Sequence, residues 1–160
     1  MDNQQQIIID ITTALQEILK CPVIKANQAS PTPNYPYVSF TITTLMVANG
    51  GTWGEYEDGS ERKPFKQVWS FTVQSDSDMQ AFNLAMLLYE YLDRRNYALE
   101  DKGIIVERVS GVSNRDSFIS IQYERRYGFD VTFAFMRKQA ETSTSPELVP
   151  IKIHYDKGEN

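Results

Sequence analysis

The chain offers few residue combinations that could catalyse a reaction. Its one histidine is His154 and its one cysteine is Cys21, so a nucleophile and base would have to meet from opposite ends of the sequence. A cysteine just after a helix is more often a small buried residue, and a histidine on an extended arm is more often a plain polar one. We therefore expect no catalytic residue.

The acidic and glycine-rich segments lack the spacing of a metal or nucleotide site. Asp76, Asp78 and the acidic residues within 55–58 are not arranged as a calcium loop, and a zinc site needs more Cys and His than the chain has. The glycines within 50–54 lie between two predicted strands, with no phosphate-loop lysine after them. We expect neither a metal nor a cofactor, and acidic residues that cap a helix or face solvent.

Arg125 and Arg126 form a basic pair between Tyr123 and Tyr127. Such a pair attracts phosphate backbones, and neighbouring aromatic rings stack on bases. The whole chain, however, has 16 basic and 21 acidic residues and a net charge of −5, which repels nucleic acid. We expect the two arginines to face solvent or to bridge subunits.

The elements around these residues are predicted by periodicity. Apolar residues recur at steps of three and four within 3–19 and again within 77–94, which predicts two helices, the second capped by the SDSD segment at 75–78 and apolar on more than one side. Alternating apolar and polar residues predict strands at 37–47, 65–74, 104–106, 118–121 and 129–135. The proline-rich segment 22–36 is predicted to be an extended connector.

Because helices and strands do not alternate as βαβ units, the fold class predicted is α+β, with a mainly antiparallel sheet and two helices packed on it. Length and a hydrophobic content of 41% indicate one domain. We place this domain at 1–136 and an extended C-terminal arm at 137–160. The single cysteine and the absence of a signal peptide or long apolar run predict an intracellular protein outside the membrane.

Besides the apolar second face of the helix at 77–94, two segments are candidates for protein contact. The first is the long, glycine-rich hairpin loop 49–59, in which Trp53 and Tyr56 are suited to anchor an interface. The second is the C-terminal arm, in which Leu148, Ile151 and Ile153 are apolar and could add a strand to a neighbouring molecule. Together with Arg125 and Arg126, these residues are the predicted protein interface.

The sequence resembles the tail terminator or neck terminator proteins of tailed bacteriophages over nearly its whole length. The resemblance rests on the N-terminal helix, on YPYVSF at 35–40, on SDSD at 75–78 followed by an Ala/Leu-rich helix, and on YERRYGFDV at 123–131. It implies an α+β virion protein without catalytic activity that assembles as a homo-hexameric ring. The implied partners are the tail-tube protein and the head-tail connector or head-completion protein, with DNA only passing through the channel.

Other interpretations remain open at this point. The protein could be a different connector or completion protein of the same neck. It could be a small phosphate-acting enzyme that uses Arg125 and Arg126, which would require a cleft where these groups meet the acidic cluster. It could also be a monomeric binding module with a pocket beneath the Trp53 loop, which predicts no self-association.

Overall fold

The computed structural model describes residues 3–116 and 124–138. The elements in chain order are α1 (Asn3–Leu19), β1 (Val23–Lys25), β2 (Tyr37–Ala48), β3 (Gly54–Glu55), β4 (Glu61–Ser75), α2 (Asp78–Asp93), α3 (Tyr97–Glu100), β5 (Ile104–Val109), β6 (Ser113–Asn114) and β7 (Arg125–Lys138). The predicted α+β class with a mainly antiparallel sheet is confirmed. No helix in the described part of the chain is long and apolar enough to cross a membrane.

The strands form one sheet with the order β1-β2-β4-β7-β5, to which β3 adds beside β4 and β6 beside β7. The central pair β4–β7 keeps one register from Arg62 opposite Lys138 to Ser75 opposite Arg125. Strand β2 pairs with β4 less regularly, with register shifts between Ile42 and Thr44 and between Thr44 and Val47. The sheet is therefore regular at its centre and bent along β2.

The two long helices confirm the periodicity in the sequence. In α1 the buried side chains are Ile7, Ile11, Leu15 and Leu19, at the spacing of one helical face. Helix α2 begins after Ser77, whose hydroxyl accepts a hydrogen bond from the Gln80 backbone N–H at 3.4 Å. On α2 the buried residues are Ala81, Ala85, Leu88 and Leu92. Both helices thus bury an apolar stripe in the same core.

The core between the helices and the sheet is rich in aromatic rings. Phe40 stacks on Trp69 with ring centroids 4.6 Å apart, and the edge of Phe133 meets Trp69 at 5.5 Å. Phe71 and Phe129 extend this cluster and are fully buried. Burying one such ring contributes about 1.5–3 kcal/mol, so these side chains dominate the stability of the sheet–helix packing.

One polar side chain lies inside this core. Gln67 is 1% exposed, and its amide oxygen accepts a hydrogen bond of 3.0 Å from the Trp69 indole N–H. Its amide nitrogen donates to the side-chain oxygen of Gln4 on α1. Because a buried amide without partners costs free energy, these bonds explain how Gln67 is tolerated and fix α1 over the sheet.

The structure adds elements that periodicity did not predict. Strand β1 lies inside the predicted connector and pairs in parallel with β2, so the sheet is not wholly antiparallel. Three residues show no period, which is why β1 was missed. The predicted loop 49–59 contains β3, a third short helix α3 follows α2, and β7 continues two residues past the predicted domain boundary at 136. The strand predicted at 118–121 lies outside the described residues.

Candidate protein-interaction site

The face of the sheet opposite the helices, the open face, is polar. Alternation places Ser39 and Thr41 of β2 and Ser70, Thr72 and Gln74 of β4 on this face, because their neighbours Phe40 and Phe71 point into the core. A groove of about 630 Å³ is lined by Ser39, Thr41, Thr72 and Gln74 of this face and by connector residues within 24–32. No described helix packs here; Thr41 is exposed, whereas Ser39 and Gln74 are buried.

Arg115 lies across the open face. One terminal nitrogen donates to Ser70 Oγ at 2.7 Å, to the Phe71 carbonyl at 3.2 Å and to Thr72 Oγ1 at 3.2 Å. The other donates to Asp130 Oδ1 at 3.2 Å. The guanidinium thus joins β4 to β7 and uses its donors within the chain. Sequence analysis missed Arg115, because a lone arginine in a turn carries no pattern.

Gly128 of β7 makes room for this arginine. A Cβ atom at position 128 would lie 2.3 Å from the Phe71 carbonyl oxygen and 2.9 Å from Arg115 Cδ, closer than atoms can approach. Glycine within a strand often marks the close approach of another group. Gly128 and Arg115 are therefore one structural unit on the open face.

The predicted interface residues Arg125 and Arg126 are both held by carboxylates of the same chain. Arg125 Nη1 donates to Asp116 Oδ2 at 2.9 Å, and the Arg126 backbone N–H donates to Asp116 Oδ1 at 2.7 Å. The Arg126 side chain donates to Glu124, which also accepts the hydroxyl of Tyr35. These contacts occupy the two side chains that the phosphate-acting alternative would need.

The pKa shifts at this cluster follow from the same contacts. The hydrogen bond to Glu124, with smaller effects of burial and negative charge, raises the pKa of Tyr35 to about 12. Burial alone would raise the pKa of Asp116, but the bonds from Arg126 and Arg125 outweigh burial and lower it. Tyr35 therefore stays a hydrogen-bond donor and Asp116 stays ionised near neutral pH, which describes a structural cluster and not a poised acid–base pair.

The predicted anchors Trp53 and Tyr56 lie in the connection between β2 and β4, and both are 41% exposed. The Trp53 ring packs edge-on against Phe65 with centroids 6.0 Å apart. The Arg62 guanidinium lies 4.6 Å from the centre of the Tyr56 ring. Both aromatic rings are thus held in position by contacts on one side and exposed to solvent on the other, as an interface anchor must be.

A turn of hydrogen bonds supports Tyr56. The Tyr56 backbone N–H donates to the Ser60 carbonyl at 2.9 Å, and the Gly59 N–H donates to the Tyr56 carbonyl at 2.8 Å. Asp58 accepts from the Ser60 hydroxyl and N–H and pairs with Arg62 at 3.0 Å. The Ser60 bonds, aided by Arg62, lower the pKa of Asp58 to about 2. The tip of the connection is therefore a defined turn.

Helix α2 leaves a second apolar surface exposed, as the sequence indicated. Phe82 and Leu87 are 44% and 41% exposed, and Tyr97 of α3 is 64% exposed. A groove of about 390 Å³ lies between Leu87, Tyr97 and Ile18 of α1, beside Arg94 and Arg95. In the described part of the chain, the Tyr127 ring meets Phe82 at 5.9 Å and the Arg95 guanidinium lies 4.8 Å from the centre of the Tyr97 ring, while these side chains stay partly exposed.

The remaining predicted residues carry no site in the described structure. Leu148, Ile151, Ile153 and His154 lie outside the described residues. Cys21 is half-buried, and burial raises the pKa of its thiol, which makes it a weaker nucleophile. Among residues 3–116 and 124–138, no three His, Cys, Asp or Glu side chains are grouped to hold a metal ion.

Comparison with known proteins gives one match that covers most of the chain. Residues 10–159 match the sequence model of a family described as phage neck terminator protein. The matched range includes the second half of α1, all of α2, all the described strands and most of the C-terminal segment. No curated protein matches the sequence.

Proposed function

Because the chain belongs to the phage neck terminator protein family, a family of structural proteins of the phage neck, we propose that it forms a homo-hexameric ring that caps the tail tube and joins it to the head connector. The family match over residues 10–159 carries this proposal. The proposal includes no catalytic step. Assembly in the host cytoplasm and a final position at the neck of the virion follow from the same proposal.

The distribution of exposed apolar side chains supports self-association. Leu45, Val47, Trp53 and Met136 are 41–62% exposed and lie at the same end of the sheet, which we call the distal end. A second group, Phe82, Leu87 and Tyr97, lies on the helices. Two separate apolar surfaces allow each copy to contact two neighbours, as a ring requires.

The charge of the chain suits a channel through which DNA slides. The net charge is −5, so the ring as a whole repels the phosphate backbone. Three arginines are held by carboxylates of the same chain: Arg115 by Asp130, Arg125 by Asp116 and Arg126 by Glu124. Passage of DNA without tight binding is therefore the electrostatic expectation.

The test is the native mass of the protein, measured alone and after mixing with tail-tube subunits. We expect a sixfold species in at least one of the two samples. A strict monomer in both would contradict the ring. Binding to the connector without any binding to the tail tube would assign the protein to another position in the neck.

A mutation sharpens this test. We expect Trp53→Ala to weaken assembly, because the indole is exposed and packs on only one described ring, Phe65. The matched control is Trp69→Phe, which alters a fully buried tryptophan and should lower stability while leaving assembly of the folded fraction unchanged. Equal assembly of Trp53→Ala and the unmodified chain would remove Trp53 from the interface.

A further inference from the structure

Strand β2 has one edge that is open over most of its length. Strand β1 covers only Val38–Phe40, and the last hydrogen bond on this edge joins the Ala26 N–H to the Phe40 carbonyl at 2.8 Å. Backbone groups of alternate residues point to the same edge, so the N–H and C=O of Ile42 face this side too. Within the described part of the chain, no strand pairs with this edge from Thr41 to Ala48.

This edge lacks two of the protections that free edges often have, charged side chains and proline. The segment TITTLMVA at 41–48 contains no charged residue and no proline. The opposite edge strand, β5, carries Glu107 and Arg108 and a register shift between Val106 and Arg108. The two register shifts of β2 bend it but leave Leu45 and Val47 exposed. An uncharged, apolar, open edge is the kind of surface that accepts an added strand.

The C-terminal segment of the chain has the sequence of such a strand. From Ile151 to Tyr155 apolar residues alternate with Lys152 and His154, and Pro150 stands just before, at a position that a strand tolerates. Strand β7 ends at Lys138, at the distal end where β2 also ends at Ala48. The family match continues to residue 159, so this segment belongs to the shared sequence.

We propose that residues 151–155 of one copy pair as an added strand with the free edge Thr41–Ala48 of the adjacent copy. This inference rests on the proposed self-association and names the contact that produces it. The twelve residues 139–150 span up to about 40 Å when extended, enough to reach a neighbour. A route to the edge of the same copy would have to pass the connection 49–60, whose strand β3 lies beside β4 on the β2 side.

The test uses full-length variants under the condition in which the unmodified chain assembles. Leu45→Lys places a charge beside the acceptor edge, and the double variant Ile151→Asp with Ile153→Asp disables the donor segment. We expect each to weaken assembly about tenfold or more, because a lost strand pairing exceeds the 1.4 kcal/mol that corresponds to tenfold. The matched control is Ile105→Lys on the opposite edge strand, where Ile105 is 55% exposed against 62% for Leu45, and it should assemble normally.

Mixing the two defective variants decides which copy supplies the strand. The Leu45→Lys chain keeps a donor segment and the double Asp variant keeps an acceptor edge, so native mass spectrometry of a mixture should show mixed dimers that neither variant forms alone. Absence of mixed dimers overturns the proposal. Unfolding curves like that of the unmodified chain confirm that each variant is folded.

The outcomes separate this inference from the proposed function. If all the variants still form the sixfold species, the strand exchange is wrong and the ring stands. If the unmodified chain is a monomer both alone and with tail-tube subunits, the ring itself is wrong.

Discussion

The two faces of the central strands differ in what their side chains contact. On the core face, Phe71 and Phe133 meet other rings and are fully buried. On the open face, residues one position away, such as Ser70 and Thr72, bond to Arg115 from a distant turn. Side chains on the core face of β4 therefore stabilise the packing against the helices, whereas those on the open face hold an irregular segment in place. Substitutions on the two faces should lower the free energy of unfolding by different amounts.

The largest effect is expected on the core face. Phe71→Ala removes a ring that contacts Phe40, Trp69 and Phe129, so it should lower the free energy of unfolding by about 3–5 kcal/mol. Denaturant unfolding followed by tryptophan fluorescence measures this change. Phe71→Leu is the control and should cost clearly less, since it leaves a smaller cavity. A loss below about 1 kcal/mol for Phe71→Ala would break the distinction between the faces.

The next effect tests the close approach on the open face. Gly128→Ala places a methyl group 2.3 Å from the Phe71 carbonyl oxygen, so β4 and β7 must shift, and we expect a loss of about 1–3 kcal/mol. Gly111→Ala is the matched control, because its new methyl group meets nothing within 4 Å. Equal unfolding midpoints for both variants would contradict the close approach of the Phe71 carbonyl and Arg115 to Gly128.

A smaller effect is expected for the arginine itself. Arg115→Ala removes hydrogen bonds to three groups of β4 and the ion pair to Asp130, and we expect a loss of about 1–2 kcal/mol because the site is partly exposed. Hydrogen exchange should rise at the 113–116 turn more than in the core. Arg94→Ala, a change at an exposed arginine after α2, should alter neither measurement.

The smallest effect is expected for the pKa of Asp58, in the connection at the distal end. The pKa of Asp58 lies below its ordinary value of 3.8, at about 2, so the ionised carboxylate favours the folded turn. This stabilisation is complete above pH 3.8 and is lost as the pH falls through about 2. NMR titration of the Asp58 carboxyl measures the midpoint. Ser60→Ala removes the hydroxyl bond and should raise the midpoint toward 3.8, and an unchanged midpoint would show that the Ser60 hydroxyl is not its cause.

The core face was predictable from the sequence and the open face was not. The period of Ile7, Ile11 and Leu15 and the alternation around Phe40 and Phe133 each report burial directly, since one side of a regular element faces the core. The helices, the hairpin and the α+β class followed from these patterns. Local periodicity was sufficient to predict an element wherever burial in the core alone determines which residue types it contains.

Contacts between distant segments left no such pattern. Arg115 bonds to residues 43 to 45 positions earlier, and Gly128 is required because the Phe71 carbonyl and the Arg115 side chain both lie close to it. The exposure of Trp53 and Tyr56 agrees with their prediction as interface anchors, which stays a prediction. Arg125 and Arg126 were predicted to be solvated or to bridge subunits, and their carboxylate partners within the chain depend on the turn at Asp116 that no spacing revealed.

The unbroken pairing of β4 with β7 has a mechanical consequence. Fourteen consecutive residue pairs join these strands, whereas β1 is held to β2 by three. A force that pulls β4 and β7 in opposite directions along their axes loads all the hydrogen bonds between them at once, as in shear. A force that pulls β1 sideways from β2 breaks the few hydrogen bonds between them one after another. Under tension applied along these two strands, the centre of the sheet should resist extension and the β1 edge should yield first.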